Sequence, residues 1–407
     1  MSAAVHSASP AAFLVGGTRT PTGRYGGSLS SVRPDDLAAL VIRQTVEDAG
    51  IDPADVDDVL VGNTNGAGEE NRNVARMSWL LAGFSDTVPG MTVNRLCASG
   101  MSAVAAASQM VVAGDADLVV AGGVESMSRA PWVLAKPTSA FGRPGEIADT
   151  SIGARFINPE HLKHEKRAFS MPETAEEVAK VDSISREDSD AFALRSHQRA
   201  LAAQENGRLR REIIPVEVPG RKGQITVVDT DEGPRRDTSL EALSNLRPVV
   251  TRGAVVTAGN ASTLSDGASA VLVASERAVQ RFGLEIRARI VARADAGIAP
   301  EIMGLGPVPA TEKVLKRSGW TLDEIGAVEL NEAFASQSLA CIGRLGLDQD
   351  LVNADGGAIA LGHPLGSSGC RLIVTLLRRM EDEGADSGLA TMCVGMGQGT
   401  AMLLERV

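Results

Sequence analysis

Two widely separated stretches of this chain follow the same plan, and this repetition constrains the fold more than any other feature. Gly50 and Gly319 are 269 positions apart, as are Val59 and Val328. Around each pair the sequence predicts the end of a helix, a glycine, a short acidic turn and a strand. The stretches are EDAGIDPADVDDVLVG, residues 47–62, and KRSGWTLDEIGAVELN, residues 316–331. This pattern predicts two related halves, although matches this short also arise by chance.

The same offset relates two predicted helix starts, because Ser99-Gly100 opens one helix and Ser368-Gly369 opens the other. Short runs rich in β-branched residues alternate with stretches of helical periodicity, and this alternation predicts an α/β fold. The predicted strands span residues 59–61, 118–120, 270–273 and 328–330. The predicted helices span residues 36–49, 101–113 and 310–318.

Residues 129–257 break this alternation. They are rich in proline, arginine and glutamate, and they hold an amphipathic helix predicted at residues 185–205. We interpret them as an insertion. The predicted organisation is therefore a first half formed by residues 1–128 and 258–284, an inserted loop domain at residues 129–257, and a second half at residues 285–407.

Composition excludes several classes of partner. A formal net charge of −11 predicts no basic surface for nucleic acid. The most apolar stretch, residues 101–113, is too short to span a membrane, and MSAAVHSASP lacks the basic and apolar regions of a signal peptide. The four cysteines and five histidines form no CxxC pair and no metal-like cluster, so we predict no metal site and a reducing, cytoplasmic compartment.

Cys97 is the first candidate reactive group. It lies in TVNRLCASGMSAVAAA, after a strand predicted to end near Asn94 and just before a helix of small residues. Free N–H groups and the partial positive charge of a helix N-terminus lower a thiol pKa, so this position predicts an activated thiol. The alternative is an inert cysteine that fills a core of small side chains.

Three glycine-rich segments carry further reactive groups: NEAFA at 331–335, GGAIALGHPLGSSG at 356–369 and CVGMGQG at 393–399. Each is predicted to follow a strand, and functional groups in open α/β sheets gather at the carboxyl ends of strands, so we expect them to share one crevice with Cys97. Taken singly, His363 is equally consistent with a loop histidine bonded to backbone, and Cys393 with a core thiol. The absence of GxGxxG and GxxxxGK[ST] motifs predicts no dinucleotide or triphosphate site.

Taken in order, VNRLCASG, NEAFA, GGAIALGHPLGSSG and CVGMGQG resemble the motifs of the thiolase family, and the similarity runs from Thr18 to Glu405. The resemblance implies a thiolase-like α/β fold. In that fold, duplicated βαβαβαββ halves form a five-layered α-β-α-β-α core, with an inserted loop domain on the CoA-binding side. Within the family, NRNVARM, SMPETAEEVAK and PVVTRGAVVTAGNAS resemble members that act on 3-oxoadipyl-CoA.

The resemblance implies an acyltransferase that performs reversible Claisen cleavage or condensation, in which 3-oxoacyl-CoA and CoA give acyl-CoA and acetyl-CoA. Matched by motif, Cys97 is the nucleophile that becomes acylated, and His363 activates its thiol. Cys393 exchanges protons with the acetyl-CoA α-carbon or the CoA thiol. His363 and a water held by Asn331 stabilise the enolate oxygen, while the N–H groups of Cys97 and Gly395 form a second oxyanion hole.

The resemblance also implies that CoA is a substrate and that the enzyme has no permanently bound cofactor. Ser262, Phe334 and Met171 match residues that face the pantetheine channel, and Glu332 matches a residue that orients the site. Arg235 matches a basic residue near the nucleotide end in one family branch. It is equally consistent with a solvated arginine in the charged loop DEGPRRD.

Several alternatives stay open. A condensing synthase of the fatty-acid or polyketide type shares the duplicated plan, but its decarboxylative reaction needs no second thiol such as Cys393. A general fatty-acid β-oxidation thiolase or an acetoacetyl-CoA thiolase is also possible. Ser170 disfavours the latter, because the short-chain biosynthetic branch has histidine there. A non-catalytic thiolase-like lipid carrier is disfavoured by the joint presence of Cys97, His363 and Cys393. The expected partners are acyl-CoA and CoA, and the expected assembly is a homodimer or homotetramer.

A terminal carboxylate on the acyl chain requires a cationic or hydrogen-bonding partner, because an unpaired buried charge is costly. The nearest plausible basic group precedes Met171 and consists of His161, Lys163, His164, Lys166 and Arg167. The alternative is that this run is only a solvated loop surface.

Overall fold

The computed structural model describes residues 10–407, except for the side chains of Glu165 and Arg167. Residues 1–9, which hold most of the stretch tested for a signal peptide, lie outside the described residues. The strands are β1 (Ala12–Arg19), β2 (Gly23–Arg24), β3 (Asp58–Gly62), β4 (Gly90–Val93), β5 (Leu118–Ser126), β6 (Trp132–Leu134), β7 (Ile147–Asp149), β8 (Val216–Pro219), β9 (Ile225–Val228), β10 (Ser265–Ser275), β11 (Ala288–Gly297), β12 (Ala327–Leu330), β13 (Ser387–Val394) and β14 (Gln398–Glu405).

Helices alternate with these strands. They are α1 (Pro34–Ala49), α2 (Val74–Leu81), α3 (Ser99–Ala113), α4 (Pro159–Leu162), α5 (Met171–Val181), α6 (Arg186–Glu205), α7 (Leu240–Ser244), α8 (Glu276–Phe282), α9 (Pro307–Ser318), α10 (Ala335–Leu345), α11 (Ala358–Leu361) and α12 (Leu365–Glu383). The predicted strands and helices all fall within these elements, with ends that differ by a few residues.

The main sheet has the order β12-β13-β14-β11-β1-β10-β5-β3-β4, and β2 pairs with β10. In the first half, β3 is parallel to β4 and β5, whereas β10 is antiparallel to β5 and β1. In the second half, β12 is parallel to β13, whereas β14 is antiparallel to β13 and β11. A short pairing between β1 and β11 joins the half-sheets. The shared pattern confirms the prediction of two related halves.

Helices α3 and α12 form the layer between the half-sheets. Helix α12 packs against β5 and β10 of the first half and against β12 and β13 of the second. Helix α3 packs against α12 and β5. Separate apolar clusters lie on the outer faces, where α1 and α2 cover the first half-sheet and α9 and α10 cover the second. This arrangement confirms the predicted five-layered α-β-α-β-α core.

The central layer explains the apolar, small-residue composition of α3. Residues 96–113 are apolar and long enough to cross a membrane by length and composition alone, but 50% of this stretch is buried inside the protein, and its apolar residues join the central core cluster. A methyl group built on Gly123 would lie 2.0 Å from the carbonyl oxygen of Gly366, and one on Gly100 would lie 2.6 Å from it. Glycine at both positions therefore allows the start of α12 to approach β5 and α3.

The halves differ in the region that precedes His363. The segment 356–369 is predicted to follow a strand, but it follows only a single parallel bridge between Val352 and Val328 of β12, and the residues 269 positions beyond β4 lie in α11. Within α11, the N–H of Ile359 donates to the Glu332 carboxylate at 3.1 Å, and this bond anchors the helix. Helix α12 begins at Leu365, directly after Pro364, so Ser368-Gly369 lies inside the helix and does not open it. Cys393 lies within β13, one residue before its end.

The inserted region holds α4 to α7 and two hairpins, β6–β7 and β8–β9, which lie outside the main sheet. The long helix predicted there is α6, whose N-cap Ser185 accepts the N–H of Asp188 at 3.0 Å. The domain boundaries drawn from the sequence, after residues 128, 257 and 284, stay predictions.

Candidate active site

Cys97 lies two residues before α3, in a turn that is fixed by hydrogen bonds. The Ser99 hydroxyl donates to the carbonyl oxygen of Leu96 at 2.6 Å and accepts the N–H of Arg95 at 2.9 Å. Leu96 has a φ of 49°, an unusual value for a branched side chain. Cys97 itself is half-buried at the edge of the central apolar cluster. The turn therefore presents the thiol at the helix start, as the sequence predicts.

The pKa of the Cys97 thiol is raised, so the prediction of a thiol activated by the helix start alone is wrong. Burial is the largest cause, and the negative charge of Glu125 adds to it. Hydrogen bonds from the N–H groups of Gly395 and of Cys97 itself act in the opposite direction but do not offset burial. Deprotonation of Cys97 therefore needs a nearby base. The same two N–H groups face the sulfur. They are therefore placed to donate to the oxyanion that forms when this sulfur attacks a substrate carbonyl.

Cys393 is buried in a small apolar cluster with Phe334 and Met171. Burial raises the pKa of the Cys393 thiol well above its usual value, and the neighbouring Cys97 raises it further. The structure thus places the two predicted thiols side by side and favours the protonated form of both. A methyl group on Gly395 would lie 3.9 Å from the Met171 sulfur, so Met171 also borders the turn that faces Cys97.

The hydrogen bonds of His363 define its tautomer. Its Nδ1 lies 2.6 Å from the Ser368 hydroxyl, which itself donates to the carbonyl oxygen of Pro364 at 2.9 Å. The hydroxyl hydrogen is used in that bond, so Nδ1 carries the proton and donates, and Nε2 is unprotonated and can accept. Burial, and then the charge of Arg371, lower the pKa of His363 to about 3. The imidazole is therefore neutral, with Nε2 unprotonated.

Asn331 lies beside that nitrogen, and its Nδ2 donates to His363 Nε2 at 3.4 Å. Its Oδ1 is buried and has no hydrogen-bond partner among residues 10–407. Glu332 points elsewhere: it accepts hydrogen bonds from Ser196 at 2.6 Å and Asn353 at 2.9 Å. Glu332 thus fixes the loop that carries Asn331 without contacting the imidazole.

The two halves meet through Glu125, which sequence reasoning missed. One carboxylate oxygen accepts the N–H of Thr64 at 3.0 Å and the N–H of Gly366 at 2.9 Å. Thr64 donates its hydroxyl to Leu96, next to Cys97, at 3.2 Å, whereas Gly366 lies in the first turn of α12, three residues after His363. Glu125 therefore links the loop at Cys97 to the helix that follows His363. Burial is the largest cause that raises the pKa of Glu125 to about 7.

Ser368 is the other residue that the sequence did not reveal as functional. It lies within GGAIALGHPLGSSG, but nothing in the motif indicates that it bonds back to the imidazole five residues earlier. The spacing places it one turn into α12, where its hydroxyl can reach both Pro364 and His363. A serine one helical turn after a histidine is the only sequence signal available for this contact.

The predicted CoA contacts fall in two places. Phe334 and Met171 lie beside Cys393, and Ser262 donates its N–H to the carbonyl oxygen of Ala333 at 2.9 Å. Arg235 is exposed and borders a cavity of about 130 Å³ whose lining includes Thr263. The carbonyl oxygen of Thr263 accepts the N–H of His363 at 3.3 Å. Of the predicted site residues, Arg235 lines this cavity, and Thr263 in its wall is joined to the backbone of His363.

The basic run before Met171 is engaged in ion pairs on the surface. Lys163 pairs with Glu160 at 2.6 Å and Lys166 pairs with Glu177 at 3.0 Å. His161 and His164 are exposed, and the side chain of Arg167 lies outside the described ones. This pattern favours a solvated loop surface for the run.

Comparisons with known proteins agree with this geometry. The model of the thiolase N-terminal domain matches residues 12–277, and that of the thiolase C-terminal domain matches residues 284–406. The chain is 55% identical to a β-ketoadipyl-CoA thiolase of Pseudomonas aeruginosa, over 97% of this chain and 99% of the relative. It is 52% identical, with the same coverage, to a 3-oxoadipyl-CoA/3-oxo-5,6-dehydrosuberyl-CoA thiolase of Escherichia coli.

Among solved structures, an acetyl-CoA acetyltransferase of Bacillus anthracis superposes with a TM-score of 0.92 at 38% identity, covering 98% of this chain and 100% of that one. Human mitochondrial 3-ketoacyl-CoA thiolase superposes with a TM-score of 0.89 at 37% identity and the same coverage. The family models together match most of the chain, and the identities extend over nearly its whole length. This protein therefore belongs to the thiolase family and is an acyltransferase.

Proposed function

We propose that this thiolase cleaves 3-oxoadipyl-CoA with CoA to give succinyl-CoA and acetyl-CoA, and that the reaction is reversible. The observation that carries this substrate is a set of relatives named β-ketoadipyl-CoA thiolase, which are 51–55% identical over 97% of the chain. An acetyl-CoA acetyltransferase of Pseudomonas aeruginosa is less similar, at 45% identity.

The first step forms the acyl-enzyme. His363 Nε2 takes the proton of the Cys97 thiol, and the thiolate attacks the 3-oxo carbon of the substrate. The raised pKa of Cys97 makes this base necessary, and the tautomer set by Ser368 leaves Nε2 unprotonated. The N–H groups of Cys97 and Gly395 donate to the tetrahedral oxyanion.

The carbon–carbon bond then breaks, and its electron pair passes to the acetyl-CoA unit as an enolate, while the succinyl group stays on Cys97 as a thioester. The protonated His363 now has an N–H at Nε2, which donates to the enolate oxygen together with a water bound by Asn331. Cys393 gives its thiol proton to the enolate carbon. Its raised pKa supports this role, because the thiol stays protonated until a strong base forms beside it.

The second half-reaction returns the enzyme to its starting state. The CoA thiol gives its proton to the Cys393 thiolate and attacks the thioester on Cys97, and succinyl-CoA leaves as His363 returns its proton to Cys97. Ser262, Phe334 and Met171 are proposed to contact the pantetheine. Arg235 is proposed to lie near the nucleotide end.

We further propose a cytoplasmic homodimer or homotetramer with no resident cofactor, since every proton and electron pair above is carried by the chain or its substrates. The four free cysteines are consistent with a reducing compartment. Exposed apolar side chains on the sheet-edge strand β4 and on the β6–β7 hairpin support association between copies. They are Met91, Trp132, Leu134 and Ile147.

A substrate panel tests the proposed function. The kcat/KM for 3-oxoadipyl-CoA should exceed that for 3-oxohexanoyl-CoA, an uncharged substrate of the same length, at least tenfold, about 1.4 kcal/mol. Acetoacetyl-CoA and a long-chain 3-oxoacyl-CoA complete the panel. An equal or higher value for an uncharged substrate would assign the protein to general β-oxidation or to acetoacetyl-CoA metabolism.

A further inference from the structure

A segment of the inserted region, residues 150–156, lies over the loop that follows β3. Asn65 in that loop donates its side-chain amide to the Thr150 hydroxyl at 2.8 Å. Arg155 donates from Nη2 to the Asn65 side-chain oxygen at 3.2 Å. Farther along, the same part of the chain reaches Met171, which borders Gly395 and Cys393. The stretch from Thr150 to Met171 therefore connects the loop after β3 to the cluster that holds Cys393.

The loop under Arg155 is part of the wall around Cys97. Thr64 donates its hydroxyl to the Leu96 carbonyl oxygen at 3.2 Å, and its own carbonyl oxygen accepts from the Asn94 side chain at 3.0 Å. Asn65 donates its N–H to Glu125 at 3.2 Å, and the charge of Glu125 acts on the Cys97 sulfur. Two hydrogen bonds, both made by Asn65, therefore link the Arg155 guanidinium to the Glu125 carboxylate, whose charge raises the pKa of Cys97.

Arg155 is a cation at this wall that lacks an anionic partner, and it is less exposed than Arg72 on the same loop. Its side chain is half-buried, and within residues 10–407 its guanidinium donates to the neutral Asn65 amide and forms no ion pair. Arg95, two residues before Cys97, already pairs with Asp295 at 2.8 Å. Lys163 and Lys166 are paired on the surface. A half-buried guanidinium with free donors is suited to a planar carboxylate, which it binds through two parallel hydrogen bonds.

We propose that Arg155 binds the terminal carboxylate of the acyl group carried on Cys97, which makes it the residue that selects a dicarboxylic substrate. This inference rests on the proposed function and names the side chain responsible for it. The succinyl thioester on Cys97 carries its carboxylate a short chain beyond the sulfur, and the loop that Arg155 contacts at Asn65 bonds to Leu96, next to Cys97, through Thr64. The bound carboxylate supplies the negative partner that the guanidinium otherwise lacks.

The test is the ratio of kcat/KM for 3-oxoadipyl-CoA to kcat/KM for 3-oxohexanoyl-CoA. Arg155→Gln should lower this ratio at least tenfold, because the carboxylate loses its cation. Arg155→Lys should lower it less, because a point charge remains without the planar fork. Arg221→Gln is the matched control: it removes one exposed positive charge from the remote β8–β9 turn and should leave the ratio unchanged.

A second readout does not depend on the unstable 3-oxoacyl substrate. Acylation of Cys97 by succinyl-CoA relative to butyryl-CoA, followed by peptide mass, should fall in parallel for Arg155→Gln. Acetylation by acetyl-CoA reports that the variant is folded. Arg72 is the alternative cation, because it is exposed, has a φ of 64° and donates its N–H to Gly66, next to Asn65. A ratio that falls in Arg72→Gln but persists in Arg155→Gln would overturn the proposal.

The wild-type ratio separates the two proposals. A wild-type enzyme without preference for 3-oxoadipyl-CoA disproves the proposed substrate, and the role of Arg155 with it. A wild-type enzyme that prefers 3-oxoadipyl-CoA and keeps that preference in Arg155→Gln disproves only the role of Arg155. Preference in the wild type that is lost in Arg155→Gln and kept in Arg221→Gln supports both.

Discussion

The starts of the two central helices, α3 and α12, occupy equivalent positions in the two halves, but the first holds a reactive thiol and the second a structural contact. Cys97 and Gly366 are 269 positions apart, as are Val124 and Cys393. At the start of α3, an N–H from Gly395 of the other half faces the Cys97 sulfur. At the start of α12, the N–H of Gly366 faces the carboxylate of Glu125 from the other half, at 2.9 Å. In both places a backbone N–H of one half donates to a side chain of the other half. Where the acceptor is the Cys97 thiol the contact is reactive, and where it is the Glu125 carboxylate the contact is structural.

The two serines at this offset show the same divergence. Ser99 and Ser368 both donate their hydroxyls to a carbonyl oxygen of the turn that precedes or opens their helix. Ser368 has the additional partner His363, at 2.6 Å, whereas Ser99 receives a backbone N–H from Arg95. One serine therefore orients a base, and the other shapes the turn that carries the nucleophile. The site combines one specialised element from each half.

The largest expected effect is at the reactive junction itself. Cys97→Ser should lower turnover by several orders of magnitude, because an alcohol is a much weaker nucleophile at neutral pH and His363 must now deprotonate a far weaker acid. Incubation with acetyl-CoA followed by peptide mass should show acetyl on Cys97 in the wild type and none in the variant. Acetyl found on another cysteine, or nowhere, in the wild type would disprove the assignment.

The next effect separates the two thiols. Cys393→Ala should still acquire the acyl label on Cys97 but should exchange deuterium into acetyl-CoA at least about a hundredfold more slowly, because the group that moves the α-proton is gone. Cys341→Ala is the matched control, since Cys341 is also a buried thiol but lies outside the predicted machinery. Normal exchange in Cys393→Ala would remove Cys393 from the mechanism.

A smaller effect is expected at the serine that distinguishes α12 from α3. Ser368→Ala should slow acylation of Cys97 roughly ten- to a hundredfold, because Nδ1 loses its acceptor and the imidazole no longer holds the tautomer that leaves Nε2 unprotonated. Ser367→Ala is the control: its hydroxyl contacts Ser269 and not the imidazole.

The pH profile of wild-type acylation checks the burial of His363, the imidazole that Ser368 orients. Because the pKa of His363 is about 3, the wild-type imidazole stays neutral as pH falls from 7 to 5, and no loss of acylation from imidazole protonation is expected in that range. A clear loss with an apparent pKa near 6.5 would show that the imidazole is not buried as described.

The sequence predicted the repeated halves and the reactive residues better than it predicted their electrostatics. The 269-residue offset correctly made β12 the counterpart of β3, because glycine and β-branched residues mark local turns and strands, and in the structure the same offset relates β13 to β5. It failed before His363, where the second half forms α11; the Glu332 carboxylate bonds to this helix at Ile359, and a contact between residues so far apart in the chain leaves no local pattern in the sequence. The raised pKa of Cys97 was also missed, since burial arises only when both halves pack around the turn.

Glu125→Gln tests the structural junction. A glutamine amide has only one oxygen, whereas one carboxylate oxygen accepts from Thr64 and Gly366 and the other from Asn65, so at least one of these N–H groups loses its acceptor and the free energy of unfolding should fall by roughly 1–3 kcal/mol. The pKa of Cys97 should also fall, because the charge that raises it is removed, and alkylation rates measured against pH report this. An unchanged Cys97 alkylation profile would mean that the two junctions are not electrostatically coupled.

The stability difference at Glu125 should depend on pH. Burial raises the pKa of Glu125 to about 7 from 4.5, so the folded wild type binds a proton more readily than the unfolded chain between those values. Its stability advantage over Glu125→Gln should therefore be larger at pH 5 than at pH 8, because raising the pH through this window removes the contribution of the bound proton. Chemical denaturation of both proteins at the two pH values measures the difference.

The smallest effect is expected where the two halves are equivalent. Gly50 and Gly319 end α1 and α9 in the left-handed region, with φ values of 66° and 76°, and a methyl group on either would meet nothing within 4 Å. Backbone conformation is then the only cost, so Gly50→Ala and Gly319→Ala should each lower the free energy of unfolding by about 1 kcal/mol. The two positions lie on opposite outer layers, so the double variant should lose the sum, with kcat/KM unchanged. Unequal costs in urea denaturation would show that the repeat is conserved in backbone shape but not in the energy that its turns contribute.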